Sequence, residues 1–153
     1  MSNPPGILGA FAQHEFLRGL SERNLMILAS GARPLHANPG EYLAREGESA
    51  RAFYLINAGQ VSLGMHTPDG RVVIVQTVGP GEVIGWSWLV PPHRWQFDCR
   101  AEDEVQGVMF DAEWLREKCE QDHSLGYQFL KQMIIKIASR LEATREQLLK
   151  SRF

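Results

Sequence analysis

The chain has little cysteine, no long apolar run and no excess of charge of one sign. Two cysteines in 153 residues, Cys99 and Cys119, cannot build a disulfide framework, and their spacing matches no zinc motif. A reduced, cytoplasmic compartment is therefore expected. No stretch approaches the roughly 18 consecutive apolar residues of a membrane span, and the opening MSNPPGILGAFAQ lacks the basic start of a secretory signal. Neither a secreted nor a membrane protein is expected. Lys and Arg number 16 against 18 Asp and Glu, a formal net charge of −2, so no basic field draws the chain to nucleic acid or to an anionic membrane.

Signatures of catalysis and of metal binding are missing as well. Gly79-Pro80-Gly81 is not followed by the Gly-Lys-Ser/Thr of a phosphate-cradling loop. His14, His36, His66, His93 and His123 are scattered, with no pair at the spacing of helical metal ligands, and four cysteines for an iron–sulfur cluster are not available. No Ser/His/Asp set or carboxylate pair stands out. A non-enzyme without a metal is expected.

What is present divides into zones by period and punctuation, within a single domain over 1–153. Residues 1–33 carry, after a Pro/Gly opening, two short helical patterns around His14–Gly19 and Glu22–Ser30. Ser21 suits the N-cap of the second, and Leu20, Leu25 and Leu28 its apolar face. From 35 to 110, glycines recur between short runs rich in Val, Ile, Phe and Tyr, the pattern of short strands joined by tight turns. Asp69-Gly70 predicts a hairpin between Val61–His66 and Arg71–Val78, and Asn38-Pro39-Gly40-Glu41 predicts a turn. The fold class is mainly β with flanking helices, an antiparallel barrel or sandwich. Val105 and Phe110 fall on opposite faces of the last strand, so both faces there are expected to be covered.

Residues 111–122 form a short helix that Asp111 can cap, and 124–151 a long one. Leu130, Ile134, Ile137, Leu141, Thr144 and Leu148 recur along it at alternating steps of four and three. That period describes a seam between two helices, and a homodimer is expected from it. The alternative is a single stripe packed on the barrel; Phe129, Met133 and Leu149 lie off the seam and are available for that role.

The order of features in the β zone resembles the cyclic nucleotide-binding domain of Crp/Fnr-type bacterial regulators. The resemblance rests on NPGEYLAREGESARAFYLINAGQVSL (Asn38–Leu63), Asp69-Gly70-Arg71 and VGPGEVIG (Val78–Gly85). It implies an eight-stranded double-stranded β-helix jelly roll followed by a long dimerisation helix, with Arg140–Glu146 similar to the part of that helix that reaches the ligand. It also implies a regulatory sensor whose ligand is a cyclic nucleotide, cAMP or cGMP. Full-length regulators of this kind continue into a winged helix-turn-helix, which this chain does not contain. A stand-alone sensor that does not itself bind DNA, with an unidentified partner protein, is therefore expected.

The pocket of such a domain must desolvate a cyclic phosphodiester. One guanidinium, the backbone N–H groups of a turn that opens at a glycine, and a carboxylate for the ribose meet that need. In the family these stand in one cassette, which reads here Gly85-Trp86-Ser87-Trp88-Leu89-Val90-Pro91-Pro92-His93-Arg94-Trp95-Gln96-Phe97. The resemblance puts Arg94 on the phosphate and Gly85 and Ser87 in the turn, with Glu82 nearby. Trp86 stands where the ribose carboxylate belongs, Trp95 where a hydroxyl belongs and Gln96 where a small residue belongs. Each missing charge-assisted bond is worth on the order of 1.5–3 kcal/mol. Three readings stay open: the tryptophans line a pocket for another small anion anchored on Arg94, a cyclic nucleotide binds there with altered contacts, or the tryptophans plug the pocket and leave a homodimeric interaction module. Thr144 is likewise either a ligand contact or a seam residue that sets register.

Overall fold

The computed structural model describes Phe11 and residues 14–152 of the protein; the Pro/Gly opening lies outside the described residues. A 3-10 turn, Glu15–Gly19, leads into helix α1, Glu22–Ala29. The Ser21 hydroxyl accepts from the Asn24 N–H, as its capping role requires. Eight strands follow: β1 Arg33–Ala37, β2 Tyr42–Ala44, β3 Ala52–Ala58, β4 Val61–His66, β5 Val72–Val78, β6 Val83–Ile84, β7 Asp98–Ala101 and β8 Val105–Asp111. Helices α2, Ala112–Gln121, and α3, His123–Arg152, complete the chain.

The strands form two four-stranded antiparallel sheets, ordered β1-β8-β3-β6 and β2-β7-β4-β5, as a jelly-roll-like sandwich. β4 and β5 pair as the hairpin expected around Asp69-Gly70, with a turn that spans 67–71 and is closed by the Thr67 N–H to the Arg71 carbonyl at 2.8 Å. The turn at Asn38–Glu41 is closed by the Glu41 N–H to the Asn38 carbonyl, and Gly40 sits at φ 88°.

Side-chain alternation divides the core into two layers. From β3, Ala52, Tyr54 and Ile56 enter the space between the sheets, while Phe53 and Leu55 face the helices. β8 does the same: Val105 joins the first layer, Val108 and Phe110 the second. Both faces of these central strands are covered, which is why Ala52–Ile56 reads as an unbroken buried run. The layer beneath the helices is aromatic. Phe53 lies 5.8 Å from Trp88 and 5.4 Å from Phe129 between ring centres, so one strand, the turn after β6 and α3 meet there.

Asp111 caps α2 by accepting from the Trp114 N–H at 2.9 Å. α3 has 30 residues, a rod of about 45 Å at 1.5 Å per residue. Leu125, Phe129 and Met133 are buried against the sandwich. Leu149, offered above for the same role, is 59% exposed, because the rod has run past the sandwich by that point. The seam positions Leu130, Ile134, Ile137, Leu141 and Leu148 are all exposed. Among the described residues no helix is long and apolar enough to cross a membrane.

Candidate functional site

The turn after β6 begins at Gly85, whose φ of 104° is open to glycine and strained for other residues. A Cβ there would come within 3.0 Å of the Trp95 ring. The turn that the resemblance would offer to an anion is thus covered at Gly85 by an indole. Trp95 in turn lies nearly parallel to Tyr54, with ring centres 6.2 Å apart and 12° between planes. The hollow that remains, lined by Leu63, Ile84, Gly85, Trp86, Ser87, Trp95, Phe97, Cys99 and Arg140, has a volume of about 10 Å³. That is room for no more than about one water molecule.

Backbone pairing explains how the indole arrives there. Segment 93–95 runs against 47–50: the Ala50 N–H donates to the His93 carbonyl, the Trp95 N–H to the Glu48 carbonyl and the Gly47 N–H to the Trp95 carbonyl, at 2.8, 2.8 and 2.9 Å. An extended segment sends successive side chains to opposite faces. With Trp95 buried, Arg94 and Gln96 point to solvent. Arg94 Nη1 donates to the Gly47 carbonyl at 2.8 Å, and Gln96 Nε2 to the Arg94 carbonyl at 3.1 Å. Neither lines the hollow.

The other residues expected from the sequence are placed as follows. Gly85, Trp86, Ser87 and Trp95 come together on the wall. Thr144 is exposed and donates to the Arg140 carbonyl of its own helix at 2.9 Å. Trp88 is fully buried in the aromatic layer under α3 and takes no part in the wall. Glu82 joins indirectly: its Oε2 lies 4.0 Å from Nη2 of Arg140.

Arg140 opens the segment Arg140–Glu146 that the resemblance brings towards the ligand, but the sequence reading singles out Thr144 there and not Arg140. It reaches in from α3, donates through Nη2 to the Val83 carbonyl, and leaves Nε buried without a hydrogen-bond partner. Burial lowers its pKa, and the Glu82 carboxylate opposes that effect. The signal was present in the helix period. Phe129, Met133, Lys136 and Arg140 follow at steps of four, three and four, so the barrel-facing stripe continues past its apolar part and ends in two cations. Lys136 is buried and pairs with Glu15 of the N-terminal turn at 3.0 Å.

His14 completes this corner. Its Nδ1 accepts from the Phe16 N–H, which leaves Nε2–H to donate to the carbonyls of Ile56 and Glu82 at 3.0 and 3.2 Å. Burial holds its pKa below the ordinary value. The Cys99 thiol on the pocket wall is pushed up to about 12, also by burial. Among the described residues no group of three His, Cys, Asp or Glu is placed to hold a metal ion. A larger hollow of about 470 Å³ opens between the loop at Leu89–His93 and helices α2 and α3, away from this wall.

Residues 34–122, a stretch of 89 of the 153, match the model of the cyclic nucleotide-binding domain. The chain belongs to the cyclic nucleotide-binding domain family. The acetyltransferase Pat of Mycolicibacterium smegmatis is 38% identical over 71 residues, 46% of this chain and 21% of that protein. The CRP-like cAMP-activated global transcriptional regulator of Mycobacterium tuberculosis is 26% identical over 105 residues, 69% of this chain and 47% of that protein. The chain thus spans less than half the length of these relatives. Among solved structures, a cyclic nucleotide-binding domain from Methylobacillus flagellatus superposes with a TM-score of 0.81 at 18% identity, over 92% of this chain and 83% of that one. The jelly roll with flanking helices is therefore the fold of the family.

Proposed function

We propose that the protein is a non-catalytic sensor, in which a cyclic nucleotide or another small anion enters the pocket beside Gly85 and the state of α3 carries the signal. The observation that carries this reading is that one helix serves two purposes. α3 closes the pocket with Arg140 on one face and leaves exposed apolar residues on another. Whatever opens the pocket must therefore act on the helix that bears the seam. The seam suits a homodimer, in which Leu130, Ile134, Ile137, Leu141, Thr144 and Leu148 meet their counterparts. A partner protein in the cytoplasm would receive the output. Arg94 is the arginine the family resemblance puts on the anion, and it is the first to test.

A second reading is favoured by the small volume of the hollow: the indole of Trp95 is a permanent plug, and the dimer acts only as an interaction module. Thermal unfolding separates the two, with cAMP, cGMP and a panel of small organic anions, on the parent and on Arg94→Ala. A ligand at 100 times its Kd adds about 2.7 kcal/mol, a shift of several degrees. A shift with any of these compounds supports the sensor, and its loss in Arg94→Ala makes Arg94 the anchor. No shift with any compound supports the plugged module.

A further inference from the structure

We propose that the pocket takes a flat aromatic monoanion in exchange for the Trp95 indole, with Arg140 rather than Arg94 as the anchor of its charge. The inference rests on the sensor reading above and deepens it by naming the anchor and the ligand class.

The anchor follows from unmet need. A guanidinium carries five N–H donors. In Arg140 the Val83 carbonyl takes one, the Glu82 carboxylate stands at 4.0 Å, beyond hydrogen-bond distance, and Nε is buried with no partner. A buried cation with so few acceptors is costly to hold, and burial has already lowered its proton affinity. An arriving carboxylate or phosphate would meet two of these donors at once, in the fork geometry that arginine offers. Arg94, in contrast, is exposed and already donates to the Gly47 carbonyl. Among the described residues, Arg140 is the one cation on this wall.

The ligand class follows from the seat. No ring fits beside Trp95 in about 10 Å³, so an occupant must take the place of the indole, against Tyr54 and over Gly85. That place has the shape of a flat ring about as large as an indole. The rest of the wall is Leu63, Ile84, Trp86, Ser87, Phe97 and Cys99, all without charge, and the Ser87 hydroxyl and the Cys99 thiol are its other polar side-chain groups. A ligand with several polar groups would leave most of them unpaired there. One aromatic ring and one negative charge use what the wall supplies. Because the anion competes with Glu82 for Arg140, its arrival also changes how α3 is held.

Isothermal titration calorimetry on the full chain tests this, with indole-3-acetate and 2-naphthoate as probes, neutral indole as the uncharged control, and cAMP and cGMP as comparators. The proteins are the parent, Arg94→Ala, Arg140→Lys and Arg140→Met; two Arg140 variants are used so that a folding defect in one, seen by circular dichroism, does not decide the result. The expected result is binding of an aromatic anion to the parent and to Arg94→Ala, weakened at least tenfold in both Arg140 variants and at least tenfold for neutral indole. Binding of any probe or nucleotide that needs Arg94 and survives loss of Arg140 overturns this inference and leaves the sensor reading standing. No binding of any compound to the parent overturns both.

Discussion

Arg140 of α3 donates to the main-chain carbonyl of Val83, the strand residue that leads into the Gly85 turn. The two are 57 residues apart in sequence. This bond ties the middle of the long helix to the lip of the pocket, and with the pair Lys136–Glu15 it secures the part of the helix that lies beyond the aromatic layer.

Cutting that tie is expected to loosen the helix without unfolding the sandwich. Arg140→Ala removes a charge-assisted bond and leaves the Val83 carbonyl without this donor, a loss of about 1–3 kcal/mol. Denaturant unfolding measures the loss. Hydrogen exchange should locate it, with amides from about residue 136 onward less protected and those of β3 and β8 unchanged. Uniform loss of protection across both sheets would mean that Arg140 holds the whole fold.

His14 makes stability depend on pH in a defined direction. It is neutral in the fold, with Nδ1 as an acceptor and Nε2–H as a donor, and its folded pKa lies below the ordinary 6.5 because of burial. The unfolded chain therefore binds the proton more readily. The contribution of His14 is complete above about pH 6.5 and is lost as pH falls from there through the folded value. Melting at pH 7.5 and 5.5 should show a drop in the parent that His14→Gln reduces, since glutamine offers an acceptor and a donor without a charge. An equal drop in both would assign the effect to other groups.

Trp88 belongs to the scaffold and not to the pocket. It is 0% exposed and packs between Phe53 and Phe129, so Trp88→Ala should cost about 3–5 kcal/mol. Its Nε1 has no hydrogen-bond partner, so Trp88→Phe gives up no polar contact and should cost much less. Urea melts of the two variants check the ranking. Any ligand response should survive Trp88→Phe.

The seam can be tested without disturbing the sandwich. Ile134 and Ile137 are 65% and 42% exposed, so a charge there leaves the folded chain intact. In a dimer each would be buried twice by symmetry, so Ile137→Asp should weaken association by about 3 kcal/mol or more, roughly a hundredfold. Light scattering during size exclusion gives the result: a dimeric parent and a monomeric variant with an unchanged circular dichroism spectrum. A monomeric parent would leave the seam without its partner copy.

The amino-acid sequence by itself determined the features that depend on near neighbours. Ser21 and Asp111 cap the helices expected of them, Asp69-Gly70 lies in the hairpin turn, and the glycine-punctuated runs pair as strands. Each is a matter of backbone dihedrals, local hydrogen bonds or side-chain period over a few residues, so the pattern is legible in one dimension. Gly85, Trp86, Ser87 and Trp95 lie in one cassette of the sequence and line one hollow. Tertiary structure decided the rest. The resemblance puts Arg94 on the anion, with Trp95 and Gln96 as departures beside it, but pairing of 93–95 with 47–50 sends only Trp95 of the three inward. Arg140 became the charge at the pocket because the helix stripe that begins at Phe129 keeps its period after its hydrophobicity ends. Which side of the helix meets the sandwich is settled by packing between elements far apart in the chain, and so is the identity of the cation left facing the site.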